Sequence, residues 1–186
     1  MISSLCLLLF GLLSGFTVLA QSSSDDIQIR SPYLKPDGNV YALNARLLFD
    51  VPLSVEQAIH DGAVLNMELQ LRVSHERRWW RDAVQAELQQ RYQLLYHGVS
   101  ERFVVRNLNS GAQSSFATFA EAVATLKQIE DLPVLDKSLV GTASDRVISL
   151  RVHLEERSIP RALGMLLFWV DDFSLTSDWY TWPLKP

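Results

Sequence analysis

Two groups of arginine and aromatic residues are the parts of this sequence best suited to bind a ligand or a partner. Arginine grips carboxylates and phosphates, while indole and phenol rings stack on sugars and fill pockets in protein partners. Structural roles are the simpler interpretation, in which Trp79 closes the core over Ala86 and the C-terminal rings fix the last strand to its sheet. The candidate interaction residues are Arg77, Arg78, Trp79, Trp80, Arg81, Asp82, Trp179, Tyr180 and Trp182.

The other reactive side chains form no recognisable catalytic or metal-binding pattern. The four histidines are at positions 60, 75, 97 and 153, and the predicted elements keep them apart, so we predict no metal site. The acidic pairs Glu155-Glu156 and Asp171-Asp172 consist of adjacent residues, which point in different directions rather than across a cleft. No serine lies in a nucleophile-elbow sequence, and no glycine-rich phosphate loop occurs. We therefore predict no enzymatic activity and no cofactor.

Alternating apolar residues predict that β-strands position these groups. The clearest strand runs from Leu65 to Val73, and its return partner runs from Glu87 to His97. Residues 77–82 then form the tip of a long hairpin. The parity of the inward positions predicts a register that pairs Leu71 with Leu94.

The same patterns predict the remaining elements. One short helix starts at Ser54, with Gln57 as its capping partner, and ends at Asp61-Gly62. A second starts with the capping box Thr118 and Glu121 and continues to residue 129. Further strands are predicted at 27–33, 40–50, 101–107, 147–155 and 173–182. The predicted fold is mainly β, an antiparallel β-sandwich of about seven strands with two short α-helices.

The first twenty residues predict export. Met1 to Ala20 carries no charged side chain, has a Leu-rich and Phe-containing middle, and ends on Val18-Leu19-Ala20 before a polar run. Residues 1–20 are therefore a predicted signal peptide, and 21–186 a predicted single β-sandwich domain in the periplasm. The leader lacks the usual Lys or Arg, and a helix of this length nearly spans the hydrocarbon layer. An uncleaved anchor in the inner membrane thus stays open as the alternative.

Composition narrows the class of partner. The only cysteine, Cys6, lies in the leader, so the mature protein can form no disulfide and depends on its apolar core. The formal net charge of −4 is mild, so neither nucleic acid nor an anionic membrane surface is an expected partner. After cleavage we also expect no stable membrane insertion.

Four motifs follow one another in a distinctive order. They are Glu56-Gln57-Ala58-Ile59 with Gly62, Arg78-Trp79-Trp80-Arg81-Asp82, Tyr92-Gln93-Leu94-Leu95-Tyr96-His97 and Ser177-Asp178-Trp179-Tyr180-Thr181-Trp182. Over nearly the whole mature chain, this order resembles a bacterial family of exported proteins, domain of unknown function 4390, some of whose members are described as proline-rich signal peptide proteins. The sequence departs from that family's pattern at Ile159-Pro160-Arg161-Ala162-Leu163, where the family has Leu-Pro-x-Pro-Leu. The resemblance implies an exported Gram-negative protein, often encoded beside a two-component sensor kinase of the nitrogen-regulation type, and implies no activity or ligand.

Three functions agree with these observations. We expect a non-catalytic interaction domain of the cell envelope, whose partner is an unknown envelope protein such as the extracytoplasmic part of a sensor kinase. The alternative is a periplasmic carrier of a small apolar or saccharide ligand, which requires a concave pocket lined by aromatic residues. An envelope hydrolase, the third candidate, requires at least two titratable side chains that converge in a cleft.

Overall fold

A computed structural model describes residues 26–75, 83–140, 146–157 and 173–184. The predicted leader, the predicted hairpin tip at 77–82, the departure from the family pattern at 159–163 and the acidic pair at 171–172 lie outside these described residues. None of the three described helices has both the length and the apolar character that a membrane span requires.

The described chain is mainly β and forms two antiparallel sheets. Its strands are β1 (Gln28–Asp37), β2 (Val40–Leu48), β3 (Val64–His75), β4 (Ala83–His97), β5 (Arg102–Asn107), β6 (Gln113–Phe116), β7 (Gln128–Asp136), β8 (Arg146–Arg157), β9 (Ser174–Thr176) and β10 (Tyr180–Pro183). The small sheet has the order β1-β2-β7, and the large sheet has the order β10-β8-β3-β4-β5-β6, with β9 also paired to β8. The helices are α1 (Leu53–His60), α2 (Phe119–Lys127) and α3 (Lys137–Val140).

Residues from both sheets form one apolar core, which confirms the predicted sandwich class. Alternation is clearest in β8, where every second residue from Ile148 to Leu154 is 0% exposed. Leu43 and Leu47 of the small sheet belong to the same buried cluster. Helix α2 packs against strands of both sheets, β2 and β7 on one side and β5 and β6 on the other. The buried cluster therefore joins the two sheets into one unit.

The long hairpin forms, but its predicted register is wrong. Leu71 pairs with Leu88 instead of Leu94, and Ala86 pairs with Val73, which also removes the predicted pair of Trp79 with Ala86. The apolar faces still oppose each other, because parity fixes only the face and permits any shift by an even number of residues. A bulge after Val73 adds one residue to β4. The number of residues between the paired ends His75 and Ala83 is therefore odd, whereas the predicted register requires an even number.

One of the two predicted capping boxes is present. At α2, Thr118 Oγ1 accepts a hydrogen bond from the Glu121 backbone N–H, and Glu121 Oε2 accepts one from the Thr118 N–H, each at 3.2 Å. The predicted Ser54 cap is wrong, because α1 starts one residue earlier, after Pro52, and has no side-chain cap. The predicted end of α1 at Asp61-Gly62 is confirmed, with Gly62 at a φ of 106° that favours glycine.

The described residues contain three more strands than the seven predicted. β6 forms in a segment for which the sequence predicts no strand, and β7 starts directly after α2, so Ile129 belongs to a strand and not to the predicted helix. The third arises because the predicted last strand is split into β9 and β10. The residues between β9 and β10 border the candidate site described below.

Candidate binding cleft at the sheet edge

A β-bulge interrupts the edge of the large sheet between β9 and β10. Thr176 pairs with His153 and Tyr180 with Leu150, so residues 177–179 oppose only Arg151 and Val152. Ser177 fixes the bulge: its backbone N–H donates to Val152 O, and its Oγ accepts from Val152 N–H, both at 2.9 Å. Ser177 Oγ also donates to Asp178 O at 2.9 Å. The bulge is therefore an ordered feature that sets the direction of the next side chains.

Trp179, the last residue of this bulge, lies against two arginines of the outer face of the large sheet. The Cζ atoms of Arg72 and Arg151 are 4.2 and 4.7 Å from its ring centroid. Arg151 donates to Gln70 Oε1 from Nη2 at 2.7 Å and from Nε at 3.2 Å. Arg72 Nη2 lies 3.4 Å from Glu87 Oε1. Cation–π attraction to two guanidinium groups that have their own partners holds the half-buried indole in place.

The other two aromatic residues of the predicted C-terminal group lie on the opposite face. Tyr180 and Trp182 pair with Leu150 and Ile148, so their side chains are on the core side of the sheet. Trp182 packs against the core cluster and is half-buried, whereas Tyr180 remains 43% exposed. The three predicted residues therefore do not form one patch. Trp182 lies where it can fix β10 to the core, while Trp179 and Tyr180 are both accessible at the edge of the sheet.

An open cleft of about 280 Å³ lies between this edge and the start of β1. The carboxylates of Asp26 and Asp178 have no ion pair with any described residue, while Arg30 Nη2 donates to Gln28 Oε1 at 2.6 Å. The polar and aromatic residues of the cleft wall are Asp26, Gln28, Arg30, Ser177, Asp178, Trp179 and Tyr180. Chemically, the cleft offers two carboxylates, one guanidinium and two aromatic rings.

Both edge strands that border the cleft are irregular. The pairing of β1 with β2 shifts between Arg30 and Tyr33, where Ser31 has a φ of 47°. The bulge at residues 177–179 interrupts the opposite edge. Because bulges hinder the addition of a further strand, the cleft suits inserted side chains better than an added strand.

A second hollow, a groove of about 210 Å³, lies on the outer face of the large sheet. His153 Nδ1 is 2.7 Å from Thr176 Oγ1, and its Nε2 is 3.5 Å from Glu155 Oε2. Arg157 Nε lies 2.8 Å from Glu155 Oε1. Glu68 and Arg91 also line the groove. Titratable side chains therefore converge here, as a hydrolase would need, although neighbouring strand residues of any polar sheet face form similar pairs.

The described histidine and acidic residues form no group of three that could hold a metal ion. As the sequence predicts, Glu155 and Glu156 point to opposite faces, with Glu156 buried and Glu155 in the groove. Tyr92 also lines the groove, and burial raises its pKa above the usual 10.0, with a smaller opposing effect from a hydrogen bond to Asn107.

A family model described as Domain of unknown function (DUF4390) matches residues 24–183. The chain belongs to this family. The match includes all residues of the cleft and of the groove, and it confirms the resemblance drawn from the four motifs. No curated protein and no solved structure matches the chain. The family description assigns no activity, so the function of this DUF4390 protein is argued from its geometry.

Two residues of the cleft of this DUF4390 domain, Trp179 and Tyr180, are among the interaction residues predicted from the sequence, whereas Arg77 to Asp82 lie outside the described residues. The sequence did not point to Asp26 and Asp178. The available signal for Asp178 is its position directly before the aromatic pair, and Asp26 lies in a polar segment that follows the predicted leader.

Proposed function

We propose that this DUF4390 protein is an exported, non-catalytic interaction domain of the cell envelope, whose partner protein inserts a basic side chain into the cleft. The observation that supports it best is the meeting of two carboxylates, free of ion pairs among the described residues, with two aromatic rings at one opening. Asp26 and Asp178 can form charge-assisted hydrogen bonds to a cation, and Trp179 and Tyr180 offer apolar surface for the aliphatic part of the same side chain.

The balance of charge in the cleft favours a cation over an anion. Two carboxylates face one guanidinium, that of Arg30, which is engaged with Gln28. Binding also benefits from rigidity, because Ser177 fixes the bulge and two arginines fix Trp179 before any partner arrives. Less ordering on association leaves more of the contact energy as affinity.

We infer export from the predicted leader, and the class of partner from the leader and the family resemblance. The extracytoplasmic part of a sensor kinase is one envelope protein of the expected kind. Mass spectrometry of the protein from fractionated cells tests the location: we expect a periplasmic chain that begins near Gln21. An intact chain in the membrane fraction would instead support the uncleaved anchor, and an intact cytoplasmic chain would contradict the proposal.

Site-specific photo-crosslinking in the native host tests the cleft itself. A photoreactive amino acid replaces Gln28 in the full-length protein, because Gln28 is an exposed residue of the cleft wall that the proposed contact with a cation does not use. A matched probe replaces Val99, which is 94% exposed in the turn between β4 and β5. We expect an adduct with one envelope protein from position 28 that Trp179→Ala reduces at least several-fold, and no such adduct from position 99. Equal adducts from both positions, or no adduct from position 28, would contradict the proposal.

A saccharide carrier is the second candidate, because an indole and hydrogen-bonding side chains around a hollow of this size also fit a single sugar ring. The volume of the cleft is at the low end for ligand pockets, which counts against larger ligands. Titration of the isotopically labelled protein with glucose and with N-acetylglucosamine, followed by NMR, distinguishes the two. Saturable shifts of the Trp179 indole N–H signal would favour the carrier, and their absence the interaction domain.

A further inference from the structure

Arg146 is a buried arginine at the beginning of β8. Only 6% of its surface is exposed, and the alternation of β8 places it on the same core-facing side as Ile148 and Leu150. Its Cα partner on β3 is His75, and its carbonyl oxygen accepts a hydrogen bond from the Leu184 N–H at 2.8 Å. It therefore lies where the apolar inner face reaches the end of the large sheet.

The guanidinium of Arg146 lacks the partners that such a group normally has. Its Nε and Nη1 atoms are buried and have no hydrogen-bond partner, and no described acidic residue forms an ion pair with it. Arg151, on the outer face of the same strand, shows the usual situation, with two hydrogen bonds to Gln70 and a contact with Trp179. Arg72 also has a buried unpartnered Nε, but its charge is compensated by Glu87.

A buried charge that no described residue compensates is expensive in this position. A guanidinium keeps its charge in proteins, so Arg146 cannot avoid the cost of burial by losing a proton. Breaking a buried ion pair by removing one partner costs about 3–5 kcal/mol, a large part of the typical stability of a domain. A water molecule could satisfy an N–H group but would not balance the charge. The group that fits is an anion with oxygen acceptors.

We infer that Arg146 is the binding group of an oxyanion site at this end of the large sheet, and that it takes a carboxylate or phosphate group from a ligand outside the polypeptide. This goes beyond the proposed interaction cleft, which uses other residues and favours the opposite charge. Since the anion removes the cost of an uncompensated charge in the folded state, its binding should appear as a gain in stability.

Thermal unfolding of the full chain tests the site. Wild type and Arg146→Met, which retains a long side chain without the charge, are compared in sodium phosphate, sodium succinate and sodium chloride at equal ionic strength. We expect phosphate or succinate to raise the wild-type Tm saturably, by about 5–10 °C at a hundredfold excess over Kd, relative to chloride. The two anions distinguish a phosphate ligand from a carboxylate ligand.

Two variants make the result specific. Arg146→Met should show no anion-dependent rise and should be at least as stable as wild type in chloride, because an apolar side chain suits this position better than an unpaired charge. Arg157→Met, which removes an exposed arginine from the end of the same strand, should keep the wild-type response.

The inference is overturned if wild type shows no anion-dependent rise, which would mean that the charge is balanced within the chain. Equal rises in wild type and Arg146→Met would overturn it as well. If Arg146→Met does not fold, calorimetric titration of wild type and Arg146→Lys decides. We then expect phosphate or succinate to bind wild type saturably and to bind Arg146→Lys at least tenfold more weakly. No binding to wild type, or equal affinity for the two proteins, would refute the site.

Discussion

Strand β8 presents two different surfaces, and their comparison separates what stabilises this protein from what it offers to a partner. On the inner face, Ile148, Leu150, Val152 and Leu154 are fully buried and contribute through volume and apolar area. On the outer face, Arg151 and His153 each bind particular groups, Gln70 and Trp179 in one case and Thr176 in the other. Between residues 148 and 154 the inner face is thus apolar, whereas the outer face makes individual polar contacts, including those that fix the edge of the cleft.

The largest expected effect comes from the inner face. Leu150→Ala removes a fully buried side chain, and we expect it to lower the free energy of unfolding by about 2–5 kcal/mol in urea denaturation. Val147→Ala, half-buried on the outer face of the same strand, is the control and should cost less than about 1 kcal/mol. Equal losses would show that the two faces do not differ as described.

A smaller effect on stability is expected from the outer face. Trp179→Ala removes the contacts with Arg72 and Arg151, and we expect a loss of about 1–2 kcal/mol. Trp179→Phe retains an aromatic face and should lose less. A double-mutant cycle of Trp179→Ala with Arg151→Ala measures the contact itself, with an expected coupling of about 0.5–1 kcal/mol. Strictly additive losses would mean that the arginine does not hold the indole.

The starts of α1 and α2 also differ, because α2 has a side-chain cap and α1 has none. Thr118→Ala removes a cap that accepts from the Glu121 N–H, so we expect it to destabilise the protein by about 1 kcal/mol in urea denaturation. Ser54→Ala is the matched variant, because Ser54 makes no capping bond, and we expect a change within about 0.5 kcal/mol. The reverse order of the two losses would contradict the capping pattern.

The smallest effect concerns Tyr92, whose pKa burial raises above 10.0. As the pH rises past 10.0, the unfolded chain loses this proton before the folded protein does, so wild type should lose stability. Tyr92→Phe cannot lose a proton and should show a shallower alkaline decline, measured by urea denaturation at pH values from 8 to 11. Parallel declines in the two proteins would show that Tyr92 is not responsible.

The sequence predicts correctly those elements whose position depends on a local pattern of residues. Alternation located β3, β4, β5 and β8, and the Thr118 to Glu121 spacing located the start of α2, because each depends on residues close in sequence. The register of the long hairpin was not predictable, because parity allows any shift by an even number of residues and nothing local distinguishes Leu88 from Leu94 as the partner of Leu71. The Ser54 cap also failed: Pro52, two positions before Ser54, is the N-cap residue of α1, and no side chain forms a capping bond there.

The cleft was only partly predictable because its two walls come from opposite ends of the domain. The aromatic sequence pointed to Trp179 and Tyr180, but the bulge that places Trp179 on the face opposite to Tyr180 and Trp182 appears only when β9 and β10 are paired with β8. Asp26 joins them through the packing of two sheets, which spacing in sequence does not reveal. The buried and unpartnered Arg146 was equally hidden, since it continues the alternation of β8 at a position occupied elsewhere by Ile or Leu.

The most direct test of the cleft is a double-mutant cycle with the partner captured by the Gln28 probe. Calorimetry on the purified proteins measures the affinity of wild type and Asp178→Asn for the partner and for a partner whose inserted basic side chain is replaced by glutamine. We expect either change to weaken binding at least tenfold, and both together to weaken it by less than the sum of the two losses in binding free energy. Fully additive losses, or undiminished affinity in Asp178→Asn, would contradict the proposal.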